Sequence, residues 1–150
     1  LTLLESVETI NERQKKVLFG KFSDYYKSEL KGKRAAIWGL SYKPGTDDMR
    51  EAPSLTLISQ LLGAGCSVKA YDPAAMEEAR HRLGDSIEYA SDIYDAVRDA
   101  DVLFHVTEWK EYRMPDWQKV QSLMRYPLLV DGRGVFNKTD LEGITYLRIG

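Results

Sequence analysis

The sequence predicts an α/β fold in which a parallel sheet is covered by helices on both faces. Three observations lead there. Short apolar runs alternate with longer amphipathic stretches along the chain. The runs are apolar throughout rather than alternating, as strands are when both their faces are buried. Gly and Pro fall between the two kinds of segment, where turns are needed.

From Leu3 to Tyr26 the apolar positions Leu3, Leu4, Val7, Ile10, Val17, Leu18, Phe22 and Tyr25 follow a three-four spacing. That spacing predicts one long amphipathic helix, with only Gly20 against it. Such a stripe must be covered by the following domain, a partner or further sequence. Lys31-Gly32-Lys33 is expected to end the helical region. Arg34 to Leu40 reads as the first strand, Pro53 to Leu62 as a helix with Pro at its first turn, and Ser67 to Tyr71 as the second strand. Asp72-Pro73 opens a helix running to Leu83. Ile87–Ala90 reads as a weak strand, Ile93–Arg98 as a short helix and Val102–Val106 as a strong strand. Trp117–Met124 then reads as a helix, and Leu128–Asp131 and Ile144–Ile149 as the last two strands. The whole is a three-layer, Rossmann-like parallel sheet, with right-handed crossovers expected, behind one long helix.

The 43% hydrophobic and 29% charged content is that of an ordinary globular chain. With 21 Lys and Arg against 23 Asp and Glu, the charge of -2 argues against wholesale binding of nucleic acid or an anionic membrane. A local basic site for one phosphorylated ligand stays open. No apolar run reaches the roughly 18 residues of a membrane span. A single cysteine, Cys66, gives no disulfide framework and no zinc cluster, in keeping with a cytoplasmic protein. The chain opens at Leu1 inside an amphipathic pattern and is expected to be a piece of a longer protein.

In an open parallel sheet, ligands bind beyond the carboxyl ends of the strands. Three loops there have unusual content. Ser41–Glu51 begins after Gly39 but lacks the G-x-G-x-x-G spacing that seats a pyrophosphate on a helix N-terminus. In it, Lys43 precedes Pro44 and is pushed toward an extended backbone. Arg50 sits near a helix start, where the dipole disfavours a cation unless an anion is its target. The competing reading is a surface loop of solvated or ion-paired charges. Asp131-Gly132-Arg133 pairs a strand-end carboxylate with an Arg able to fork a phosphate, and is equally an ordinary turn signal. Trp109 and Tyr112, after the fourth strand, either stack on a base or pack the core, and packing is the commoner use. Asp72 stands where a dinucleotide fold holds a ribose, yet without the glycine fingerprint it reads as a turn and helix cap. His81 and His105 show no metal-ligand spacing, so His105 reads as a satisfied core residue. Cys66, with no activating base nearby, reads as structural.

Taken together, GLSYKPGTDDMREAPSLTLISQL, VKAYDP, DVLFHVTEWKEYRMPDW and DGRGVFN occur in order at domain-sized separations. The chain resembles the C-terminal, UDP-binding domain of the UDP-glucose/GDP-mannose dehydrogenase family over nearly its whole length. The K-P-x-T-D-D-x-R-E stretch is specific. The TEW and DGR segments favour the UDP-glucose 6-dehydrogenase branch over the GDP-mannose and UDP-N-acetyl-hexosamine branches. The resemblance divides the chain into residues 1–31, the end of a central interdomain and dimerisation helix, and 32–150, the UDP-sugar-binding domain. It implies UDP-sugar contacts by Tyr42 (where Phe is commoner), Lys43 and Arg133, and an NAD contact by Arg50. It also implies NAD bound mainly by an N-terminal domain, a homodimer, and a place in nucleotide-sugar metabolism for polysaccharide biosynthesis. The family oxidises the C6 hydroxyl of the sugar to a carboxylate with two NAD+ through a catalytic Cys. Neither G-x-G-x-x-G nor G-G-x-C-F-P-K-D occurs in these 150 residues, so no catalytic residue is assigned and the chain alone is expected to be inactive. A stand-alone nucleotide-binding module and a dimerisation module are the other readings.

Overall fold

The computed structural model describes residues 15–149. Six strands, β1 (Arg34–Trp38), β2 (Ser67–Tyr71), β3 (Glu88–Tyr89), β4 (Val102–His105), β5 (Leu128–Asp131) and β6 (Thr145–Arg148), form one sheet in the order β3-β2-β1-β4-β5-β6. Every pairing is parallel. The helices are α1 (residues 15–25), α2 (Pro53–Gly63), α3 (Met76–Leu83), α4 (Ile93–Val97) and α5 (Trp117–Leu123). Strand alternation sorts the central side chains into two cores. Ala35, Ile37, Val102, Phe104, Leu128 and Val130 share one with residues of α1, α2 and α3. Ala36, Trp38, Leu103 and Leu129 share the other with residues of α4 and α5. This is the three-layer arrangement that the unbroken apolar runs predict.

The leading helix belongs to that packing. Phe22 is fully buried and meets the Phe104 ring edge-on, with centroids 5.5 Å apart. The Tyr26 hydroxyl donates to the Asp101 carbonyl at 2.8 Å, and the Tyr25 and Tyr126 hydroxyls meet at 2.5 Å. Over residues 15–25, then, the apolar stripe is covered by the domain that follows. The rest of the predicted helix, residues 3–14, lies outside the described residues.

Several boundaries fall short of the sequence reading, each for a local reason. The helix stops at residue 25, one residue short of the Tyr26 that its apolar spacing predicts and well short of the Lys31–Lys33 stretch expected to close the helical region. Lys27 and Ser28 turn left-handed (φ 53° and 64°), and the Ser28 N–H closes on the Ser23 carbonyl at 2.8 Å, which brings Leu30 into the core. The first strand ends at Trp38 rather than Leu40, because the amides of Leu40 and Ser41 turn to the Asp72 carboxylate at 2.8 and 3.0 Å. The same carboxylate holds the Ala74 and Ala75 amides, so the third helix begins at Met76 rather than directly after Pro73. The last strand is four residues long, Thr145–Arg148.

Cys66 is buried, its thiol donates to the Leu30 carbonyl at 3.3 Å, and burial pushes that thiol up to about 11. Since the thiolate is the nucleophile, alkylation at pH 8 is expected to run about a hundredfold slower in the native chain than in urea. Mass spectrometry of the adduct over time checks this; equal rates would remove the structural reading of Cys66.

Candidate functional site

The strand order reverses between β1 and β4: β2 and β3 follow on one side of β1, while β4, β5 and β6 lie on the other. At such a switch point the loops leaving the carboxyl ends part and leave a crevice. The loops that matter are 39–52 after β1, 106–116 after β4 and 132–137 after β5. Two buried carboxylates, each closing a strand, organise them.

Asp72 follows β2. Its Oδ2 accepts the amides of Leu40 and Ser41 and, at 3.3 Å, the indole N–H of Trp109; its Oδ1 accepts Ala74 and Ala75. One side chain thereby ties together the loops after β1, β2 and β4. The turn role read from the sequence is present, but it is a small part of what Asp72 does. Trp109 is spent on this contact, and Tyr112 is buried, stacked on Trp38 with centroids 5.4 Å apart. Packing is what both rings do here. The place where a dinucleotide fold receives a ribose is therefore filled by protein, and a Cβ at Gly39 would meet Thr107 at 2.5 Å. Within this sheet the β1–α2 turn does not fit a dinucleotide pyrophosphate.

Asp131 closes β5 and is fully buried. Its Oδ1 accepts His105 Nδ1 at 2.9 Å and the Arg133 amide at 3.0 Å. Its Oδ2 accepts the amides of Val135 and Phe136 at 2.9 and 3.4 Å and the Tyr146 hydroxyl at 2.6 Å. Burial pushes this carboxyl up, but the bonds from His105, Tyr146 and the Arg133 amide outweigh it and hold the group well below the usual carboxylate range. Asp131 thus has no lone pair to spare for a ligand. Of the D-G-R segment, only the arginine is offered outward, and His105 is the satisfied core histidine that its apolar strand suggests.

The cations read from the sequence lie on these loops. Tyr42 and Lys43 are exposed on a loop closed by the Tyr42 N–H to the Asp48 carbonyl, 2.7 Å, and by the Ser41 hydroxyl to the Lys43 carbonyl, 2.9 Å. Arg133 is half exposed, and its Nε donates to Glu108 Oε1 at 2.9 Å. The Thr107 hydroxyl donates to the Ser41 carbonyl at 2.7 Å. Consecutive residues of the β4 loop, Thr107 and Glu108, therefore hold the two cation-bearing loops on either side of β4. Arg50 stands apart, its side chain 80% exposed and clamped side-on by Asp48, whose carboxyl it holds down at about 2. As the molecule stands, the ion-paired reading describes Arg50. Thr107 and Glu108 stand out in the sequence only as part of the TEW segment, and Tyr146 not at all; none has a role at the site assigned from sequence. Only their positions just past strand ends and on a last strand hinted at them.

A cleft of about 280 Å³ opens at the opposite edge, among Arg34, Ser67, Lys69, Glu88, Arg98 and Asp99 at the strand starts. Lys69 is already paired with Asp95 at 2.8 Å and Arg34 with Asp99 at 3.9 Å. It is remote from the switch point, so the carboxyl edge remains the candidate. Among the described residues no group of three or more His, Cys, Asp or Glu side chains could hold a metal, and no helix is long and apolar enough to cross a membrane.

A doubly wound parallel sheet with cations at its switch-point loops defines an α/β nucleotide-binding class of domain. The profile of the UDP-glucose/GDP-mannose dehydrogenase family, UDP binding domain, matches residues 36–138. A UDP-glucose 6-dehydrogenase of Pseudomonas aeruginosa is 43% identical over 99% of the chain and 34% of its own length. One of Rhizobium meliloti is 37% identical over 99% of the chain and 34% of its own length. A UDP-glucose dehydrogenase structure from the archaeon Pyrobaculum islandicum superposes with a TM-score of 0.81 at 31% identity, covering 95% of this chain and 31% of that one. The chain belongs to the UDP-glucose/GDP-mannose dehydrogenase family, as its UDP-binding domain, and spans about a third of the length of these relatives.

Proposed function

We propose that the chain is the UDP-gripping C-terminal part of an NAD-dependent UDP-glucose 6-dehydrogenase, which oxidises UDP-glucose to UDP-glucuronate. In this reading Tyr42 and Lys43 from the β1 loop and Arg133 from the β5 turn hold the UDP moiety, while Arg50 reaches the NAD from outside the sheet. NAD supplies the hydride acceptor when bound, mainly on an N-terminal domain. The cysteine chemistry belongs to sequence not contained in these residues, so the chain alone is expected to lack activity. A cytoplasmic homodimer assembled through the leading helix completes the proposal.

The observation that carries it is the joining of both cation loops by Thr107 and Glu108. That brings an ammonium loop and a guanidinium turn to one stretch of the sheet edge, as a pyrophosphate flanked by a base and a sugar requires. A charge-assisted bond to phosphate contributes about 1.5–3 kcal/mol. Lys43→Ala and Arg133→Ala are each expected to weaken UDP binding by roughly 10- to 100-fold. Calorimetric titration of UDP into the parent and both variants measures this. Identical affinities for all three would remove the site.

A further inference from the structure

We propose that Tyr146 and His105 are positioning residues for Arg133, acting through the buried Asp131 carboxylate that they clamp from the two flanking strands. The inference rests on the reading of Arg133 as a UDP ligand, and concerns what makes that arginine effective.

The turn after β5 contains Gly132 and Gly134, the latter left-handed at φ 66°, so its backbone is free to take many shapes by itself. What selects one is Asp131, whose two oxygens accept the amides of Arg133, Val135 and Phe136. A carboxylate can direct a turn only if its own plane is fixed. His105, paired with Asp131 across the β4–β5 register, fixes one oxygen through Nδ1, and the Tyr146 hydroxyl fixes the other at 2.6 Å from β6. The Arg133 guanidinium is held separately, by Nε on Glu108. Its two terminal nitrogens make no hydrogen bond among the described residues. An arginine anchored at its amide and at Nε, with its terminal fork unengaged, is preorganised for a bidentate anion. Preorganisation raises affinity by removing the ordering cost from the binding step.

Tyr146→Phe keeps the ring and its packing and deletes the hydroxyl's bond to Asp131, together with its longer contact to the Phe136 carbonyl at 3.4 Å. UDP titrations of the full chain, each with a thermal melt, test the idea in the parent, Tyr146→Phe, Arg133→Ala and the double variant. Ile87→Val, at the far edge of the sheet, serves as a mildly destabilised control. Tyr146→Phe is expected to weaken UDP binding about 5- to 10-fold, Ile87→Val to leave it unchanged, and Tyr146→Phe to add nothing in the Arg133→Ala background. Parent-like affinity in Tyr146→Phe, with Arg133→Ala weakened, overturns the positioning role while the UDP reading stands. A full Tyr146→Phe effect in the Arg133→Ala background overturns it too, since the tyrosine would then act by another route. If Arg133→Ala binds UDP like the parent, the underlying reading of Arg133 fails and the inference with it.

Discussion

Asp131→Asn is expected to lower the stability of the chain by about 3–5 kcal/mol, since a buried donor left unmatched costs about 1–3 kcal/mol and the charge-assisted bonds to the remaining donors are weakened. Domains are commonly stable by only about 5–15 kcal/mol, so this is a large fraction. The reason is the set of partners. Five groups donate to Asp131: three backbone amides, His105 and the Tyr146 hydroxyl. An Asn amide offers one acceptor oxygen and one donating nitrogen. If the nitrogen takes the Oδ1 place it faces the Arg133 amide; in the Oδ2 place it faces those of Val135 and Phe136. His105 can change tautomer and the Tyr146 hydroxyl can turn to accept, but a backbone N–H can do neither. A buried donor is therefore left unmatched in either orientation. At roughly 2–4 °C per kcal/mol for a chain of this size, the thermal midpoint should fall by about 10 °C. A shift below about 2 °C would show that the cluster is not what holds the turn.

The same carboxylate gives the chain a defined acid sensitivity. Its folded-state value lies below that of the unfolded chain, because the bonds it accepts outweigh its burial. On acidification the unfolded chain takes up the proton first. The stabilisation from Asp131 is therefore complete above the unfolded value of about 4 and is lost as pH falls from there toward the folded value. Thermal midpoints measured from pH 6 to pH 3 should decline less steeply in Asp131→Asn than in the parent. Parallel declines would mean that other carboxylates carry the acid response.

Much of the fold was legible in the sequence, and the reason is visible in particular strands. Val102 to His105 and Leu128 to Asp131 are buried on both faces, so each reads as an unbroken apolar run bounded by turn residues. The Arg133 turn and the Lys43 loop could be placed at strand ends from that pattern alone. What could not be read is the division of labour among the polar residues there. Asp131 and Arg133 are adjacent in one motif, yet one is sealed inside and the other faces outward. Which is which depends on His105 and Tyr146, 26 and 15 residues away from Asp131 in the chain. Glu108, visible only as part of the TEW segment, has its role hidden for the same reason, since its partner Arg133 lies 25 residues on and a lone Glu in a loop carries no periodic signal. Local pattern reports which face is buried; long-range hydrogen bonding decides which polar groups are consumed by the fold.

Gly39→Ala is expected to be similarly severe, and Gly45→Ala in the same loop shows why. Both glycines are left-handed, at φ 104° and 86°, where an L side chain is strained by roughly 1–2 kcal/mol. Around Gly45 there is open space, so strain is the whole penalty expected of Gly45→Ala. A Cβ on Gly39 would instead lie 2.5 Å from both the Cβ and the backbone nitrogen of Thr107. Thr107 cannot simply withdraw. Its hydroxyl holds the Ser41 carbonyl at 2.7 Å, and the Val106 amide beside it holds the Trp38 carbonyl at 2.9 Å. Relief requires β1 and β4 to part at the switch point, adding about 1–3 kcal/mol of overpacking and loosening the Thr107–Ser41 bond. The sum is about 2–5 kcal/mol for Gly39→Ala against about 1–2 for Gly45→Ala. Because the Thr107–Ser41 bond also anchors the loop bearing Tyr42 and Lys43, Gly39→Ala should weaken UDP binding as well, while Gly45→Ala tests backbone strain alone. Paired melts and UDP titrations separate the two terms. Equal losses of stability in both variants would mean that the two strands part without penalty, and that the switch point is looser than its hydrogen bonds indicate.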